Sequence, residues 1–206
     1  MSNIFWISQI NLKKSEVIDA FKRLCVSRKV AYDETGPGEQ RKYFDRRFLV
    51  YWLAEKGTTT LVGGWRNYFC PAIFANISKG KHAQVETVVW DDQNGLMHHS
   101  TLKNGQADSV FTLYENQVFE SQGIDLKKIC QTADIQQSKS NDFNGDIFDY
   151  LTAEFPFWDL DEELMGEDFE ATHCTQFRVD NDALQALEIG SKADGQMVPW
   201  SRLIRL

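Results

Sequence analysis

The chain has 206 residues, 42% hydrophobic and 13% aromatic, with 22 Lys+Arg against 30 Asp+Glu and a formal net charge of −8. That apolar content, with only 4 prolines, excludes a disordered chain, and no apolar run approaches the roughly 18–20 residues of a membrane helix. Lys13 and Lys14 follow the apolar stretch Ile4–Ile10, the reverse of a secretory signal, so a soluble, cytoplasmic globular protein is expected.

Ile4–Ile10 mixes β-branched and aromatic residues and predicts a strand. Ser15 is expected to cap a helix reaching about Val30, because Val17, Ile18, Phe21, Leu24 and Cys25 recur at helical spacing. Glu16 and Asp19 near its start and Arg28 and Lys29 near its end suit the helix dipole. Asp33–Gln40 contains Gly36-Pro37-Gly38 and reads as a loop. Phe48–Leu53 favours a buried strand, although periodicity alone leaves a helix from Gln40 to Lys56 open. Glu55-Lys56-Gly57 then turns into a strand at Thr58–Val62, which Gly63-Gly64 breaks. Residues 65–82, with Pro71 among them, read as irregular.

Gln84–Trp90, Leu96–Leu102, Gln106–Tyr114 and Val118–Glu120 predict an antiparallel meander. Asn94-Gly95 and Asn104-Gly105 are its turn signals, since both residue types tolerate the positive φ of a type I′ turn. A two-residue turn at Asn104-Gly105 sets Leu102 opposite Ala107, Ser100 opposite Ser109, His98 opposite Phe111 and Leu96 opposite Leu113, on the core side. Residues 131–142 are polar and look like a linker. A helix is expected from about Asp142 to Phe155, on Phe143, Ile147, Leu151 and Phe155, with Pro156 ending it. Phe157–Glu170 reads as irregular, Thr172–Val179 as a strand, Asp182–Ile189 as a short helix and Met197–Leu206 as strand again. The order implies an α+β fold: a mostly antiparallel β-sheet packed with two or three helices, as one domain over residues 1–206 with a soft division near 131–142.

The charge is unevenly laid out. Residues 1–90 carry 14 Lys+Arg and 8 Asp+Glu, and residues 91–206 carry 8 and 22. No basic residue stands between Lys139 and Arg178, a window holding eleven acids from Asp142 to Glu170. Like charges without counter-ions repel. Two readings follow: the basic half neutralises them or they form a solvated face, or the cluster meets a basic partner. Within it, Phe157 and Trp158 stand beside Asp159, Asp161, Glu162, Glu163, Glu167 and Asp168. Apolar anchors ringed by one sign of charge combine contact area with electrostatic steering, so these eight residues are the expected partner-binding surface. As ordinary core residues of an irregular connection, Phe157 and Trp158 need no partner.

Chemical motifs are few. Cys25, Cys70, Cys130 and Cys174 form no C-x-x-C pair, which argues for reduced, buried thiols rather than a zinc or redox site. His98 and His99 are neighbours on a predicted strand and point to opposite faces, so they do not share a metal, and His98 reads as a hydrogen-bonded core residue. His173-Cys174 is likewise adjacent in a strand-like run, and a Cys–His nucleophile pair assembled in space from Cys25, Cys70 or Cys130 with any histidine has no local signature. No phosphate-binding glycine loop, nucleophile elbow or zinc-protease pattern is present. Gly63-Gly64-Trp65-Arg66-Asn67 suits a turn better than an anion cradle, and Asn76-Ile77-Ser78 matches a glycosylation pattern that chance supplies readily. Asp159–Glu163 lacks calcium-loop spacing. No metal and no cofactor are expected. Arg41, Lys42, Arg46 and Arg47, interleaved with Tyr43, Phe44 and Phe48, resemble a nucleic-acid surface, but the net acidity works against a polyanion partner.

In size, acidity and want of a catalytic signature, the chain resembles the immunity proteins of bacterial polymorphic toxin systems. The resemblance is one of general character and rests on no motif. It implies a binding and inhibitory protein rather than an enzyme, with a basic partner such as a toxin domain. The alternatives are a hydrolase with a spatially assembled Cys/His site and a nucleic-acid-associated protein using Arg41–Arg47.

Overall fold

The computed structural model describes residues 4–36, 48–64, 71–91, 96–114, 117–124 and 174–180, and the pairs 136–137, 143–144, 192–193 and 196–197. In chain order these form β1 (Ile4–Ile10), α1 (Lys14–Arg28), β2 (Tyr32–Thr35), β3 (Phe48–Lys56), β4 (Thr59–Gly64) and α2 (Pro71–Lys81). Then come β5 (Gln84–Asp91), β6 (Leu96–Lys103), β7 (Gln106–Tyr114) and β8 (Gln117–Gln122). Two-residue ladders pair β9 (Gln136–Gln137) with β10 (Phe143–Asn144) and β12 (Lys192–Ala193) with β13 (Gln196–Met197), and β11 is Thr175–Asp180.

Nine strands form one sheet in the order β2-β11-β3-β4-β1-β5-β6-β7-β8, every neighbouring pair antiparallel. The fold is α+β, and the expected mostly antiparallel sheet is present with two helices among the described residues. Its centre, β3-β4-β1-β5, is made by the elements β1, α1, β3, β4, α2 and β5, with β2 interposed in the chain between α1 and β3. Apart from that strand it has the connectivity of a ferredoxin-like split β-α-β pair. The meander β6-β7-β8 extends one side. On the other side, β11 enters between β2 and β3.

Both helices pack on one sheet face. Val17, Ile18, Phe21 and Cys25 of α1 and Ile73, Phe74, Ala75 and Ile77 of α2 share a core with Trp6, Ile10, Leu53, Val62, Val85, Val89, Leu102, Val110 and Phe177. The strand residues in that set occupy matched positions, Ile10 opposite Val85 and Trp6 opposite Val89, as the two-residue period requires. Edge-on aromatic contacts tie the layers: Trp6 to Phe74 at 5.8 Å and Phe21 to Phe74 at 6.4 Å. Phe21 also meets Phe177 at 5.2 Å. Each fully buried Phe contributes about 1.5–3 kcal/mol by burial and each ring pair about 0.5–1.5 kcal/mol more.

α1 starts two residues earlier than Ser15 predicts: Lys13 is its N-cap, and the Glu16 carboxylate accepts from the Lys13 N–H at 3.4 Å. It ends in a Schellman arrangement, Val30 N–H to the Cys25 carbonyl and Lys29 N–H to that of Val26, with Lys29 left-handed at φ 56°. Residues 65–82 are not irregular throughout, because α2 begins at Pro71. Proline has no N–H to lose at the first helical position, so here it starts a helix rather than breaking one. Asp33–Gln40 is not all loop either: Tyr32–Thr35 pairs with β11. Gly63 and Gly64 do not break β4 but belong to it, Gly63 lying opposite both Ile7 and Trp52. The turn before β4 is Gly57-Thr58, with Gly57 at φ 61°.

Asn104 and Gly105 do form the expected two-residue turn, with φ of 53° and 76°. The register beyond it differs from the expectation. Leu102 faces Ala107, but Thr101 faces Ser109, so Asp108 is an extra residue and every later pair moves by one. His98 therefore faces Thr112, and Phe111 belongs with His99 on the opposite face. Gly123 backs onto this bulge: at φ 68°, a Cβ there would lie 2.3 Å from the Asp108 carbonyl oxygen. The β5–β6 hairpin pairs Asp91 with Leu96, while Asn94-Gly95 lies outside the described residues. The helix expected from Asp142 is not helical at its start, where Phe143–Asn144 forms a ladder with Gln136–Gln137 inside the expected linker. The remainder of that helix, Asp182–Ile189 and the end of the last predicted strand lie outside the described residues.

Candidate functional site

Phe157, Trp158, Asp159, Asp161, Glu162, Glu163, Glu167 and Asp168 all lie outside the described residues, as do Arg41, Lys42, Arg46 and Arg47. What the structure positions is the frame around them. The segment holding the acidic window leaves from β8, at one edge of the sheet, and the chain returns at β11, second from the other edge.

The polar chemistry of that frame is concentrated in its middle strands. β6 is buried from Leu96 to Leu102, on both of its faces. On the helix-facing side, Ser8, Thr87 and Ser100 stand in one row across β1, β5 and β6, each fully buried. Ser8 and Thr87 hydrogen-bond through their hydroxyls at 2.7 Å. Two residues along β6, His98 Nδ1 meets the Thr112 hydroxyl at 2.8 Å. Burial pushes the His98 imidazole well below its ordinary range, and neighbouring His99 adds to this. A buried imidazole stays neutral because charging it means losing water. On the other face, His99 Nε2 lies 3.1 Å from Glu86 Oε1. At the hairpin end, His82 Nδ1 lies 3.0 Å from Asn104 Oδ1. The hydrogen-bonded core reading of His98 holds, with Thr112 as its partner.

No family model, characterised protein or solved structure matches the chain.

Function therefore has to be read from the residues themselves. Among the described residues, no three His, Cys, Asp or Glu side chains are grouped to hold a metal. Burial pushes the Cys25 thiol up to about 11, the reverse of the low value an activated nucleophile needs. Cys174 is also a buried free thiol. Cys70, Cys130 and His173 lie outside the described residues. In the Asn76-Ile77-Ser78 pattern, Ser78 is buried in α2 and its hydroxyl donates to the Ala83 carbonyl at 2.8 Å. That is a structural post under the β6–β7 turn, whose Gly105 N–H reaches the same oxygen at 3.3 Å.

Sequence reasoning did not single out Ser8, Thr87, Thr112 or Glu86, and it placed Ser100 on the core side only as part of the hairpin register. Their signal is faint: small polar residues at strand positions whose flanking residues alternate into the core. No helix among the described residues is long and apolar enough to cross a membrane.

The charges divide sharply between frame and remainder. The described residues carry 12 Lys+Arg and 10 Asp+Glu, which leaves 10 and 20 for the rest of the 206. Part of the frame's charge is paired locally. Lys22 pairs with Glu34, which holds the lysine above its ordinary range, and Lys103 pairs with Asp108. The ladder sets Arg178 opposite Asp33.

Proposed function

We propose that this chain is a binding and inhibitory protein in the manner of immunity proteins, which offers the acidic window at 142–170 to a basic protein partner such as a toxin domain. The observation that supports this reading is the charge division. The frame is nearly neutral, while the rest of the chain sets 20 acids against 10 basic residues and places none of those basic residues among the eleven acids from Asp142 to Glu170. Such a cluster raises the cost of the compact state by self-repulsion, and a basic partner removes that cost. Phe157 and Trp158 supply anchors, and Asp159, Asp161, Glu162, Glu163, Glu167 and Asp168 supply steering.

The test is to capture the partner from the native host and measure its association with the wild-type chain and with a triple variant, Asp161→Lys, Glu162→Lys, Glu163→Lys. The expected result is a basic partner whose association rate constant falls about tenfold or more in the variant at low ionic strength, the difference narrowing as salt is raised. An unchanged rate constant, or a captured partner that is itself acidic, overturns the reading.

A further inference from the structure

The hydroxyl row under the helices does not close its own hydrogen-bond accounts. Ser8 and Thr87 together carry two O–H protons, and the single bond between them uses one. The other has no acceptor among the described residues. Ser100 stands directly opposite Thr87 in the β5–β6 ladder, is fully buried, and its Oγ has no hydrogen-bond partner. Facing residues of adjacent antiparallel strands hold their Cβ atoms about 4.5–5.5 Å apart, so an unmatched donor and an unused hydroxyl face one another across one strand gap. Buried hydroxyls in that condition are expensive, and a row of three on one apolar layer concentrates the expense.

We propose that the Ser8–Thr87–Ser100 row is a binding site for one ordered water molecule, held on the helix-facing side of β5 and β6. The water accepts the spare proton of the Ser8–Thr87 pair and bonds the Ser100 hydroxyl, which meets the requirement of at least two polar partners for a buried water. The row is then a hydrated polar seam flanked by the apolar side chains Ile10, Val85, Leu102 and Val110.

The sign of one substitution separates a hydrated seam from a dry one. In a dry seam, Ser100→Ala deletes an unsatisfied hydroxyl and raises the melting temperature. In a hydrated seam, the change strips the water of a partner and lowers it. The expected result is a lower melting temperature for Ser100→Ala, together with loss of one long-lived water from the ¹⁷O relaxation dispersion of the folded protein. A raised melting temperature, or an unchanged dispersion amplitude, overturns the proposal. A wild-type crystal structure at high resolution gives a check that needs no variant. Density for a water within hydrogen-bonding distance of Ser100 Oγ is expected there, and an empty space at that position overturns the proposal equally.

Discussion

Acidification is expected to loosen the fold through His98. The imidazole is fully buried and bonded to the Thr112 hydroxyl, and burial, helped by the adjacent His99, holds its pKa well below the 6.5 of an ordinary histidine. The unfolded chain titrates this group near 6.5 and the folded chain at a lower pH. Between the two, the unfolded state binds one proton more, so stability rises with pH. The contribution of neutral His98 is therefore complete above 6.5 and is lost as pH falls toward the folded value. One proton corresponds to at most about 1.4 kcal/mol per pH unit, so the loss at 1.5 units below 6.5 is at most about 2 kcal/mol. Urea unfolding followed by tryptophan fluorescence, repeated from about pH 7.5 to about pH 5, measures the slope. His98→Gln keeps a polar group that can reach Thr112 but cannot titrate, so it is expected to start lower at neutral pH and to lose that part of the slope. If His98→Gln falls as steeply as the wild type between pH 6.5 and 5, the buried neutral imidazole is not the cause.

Three further outcomes are expected. Gly123→Ala forces a left-handed Cβ against the Asp108 carbonyl oxygen, which should cost about 2–4 kcal/mol, with hydrogen exchange in β8 rising before that in β5; unchanged protection in β8 contradicts this. Lys29→Gly relieves the left-handed lysine that closes α1 and should raise stability by about 1 kcal/mol in the same urea assay. With its thiol pushed up to about 11, Cys25 is about 0.1% thiolate at pH 8. Cys25→Ser should then leave the number of fast-reacting thiols in the folded protein unchanged, and losing one would show that Cys25 is accessible.

The elements that depend on neighbours in sequence were legible. β1, α1 and the meander β5–β8 announce themselves by their residue patterns and, between β6 and β7, by the Asn104-Gly105 turn. What escaped depends on distant partners or ambiguous punctuation. β2 is a strand because residues 175–180 pair with it, and nothing near Tyr32 encodes that. Pro71 reads as a breaker until it is seen at a helix start, and Asn76, Ser78 and Gly80 further obscure the spacing of Ile73, Phe74 and Ile77. The Asp108 bulge is one inserted residue without a strong signature, yet it decides that His98 meets Thr112 rather than Phe111. The polar seam was hidden because Ser and Thr are ordinary in strands, and only the register aligns three of them.

The insertion of β11 between β2 and β3 sets a timetable for synthesis. β3 ends at Lys56, and its outer partner begins at Thr175, about 120 residues later. At the usual elongation rate of about 5–20 residues per second, the outer edge of β3 waits about 6–24 s for the strand that covers it. That edge belongs to Phe48-Leu49-Val50-Tyr51-Trp52-Leu53, an apolar ribbon of the kind that recruits other nascent chains. β2 waits for the same interval, because among the described residues it joins the sheet only through β11. β11, the last described strand of the nine-stranded sheet, thus acts as a late zipper, and the vulnerable period of this protein lies in the seconds before residue 175 leaves the ribosome.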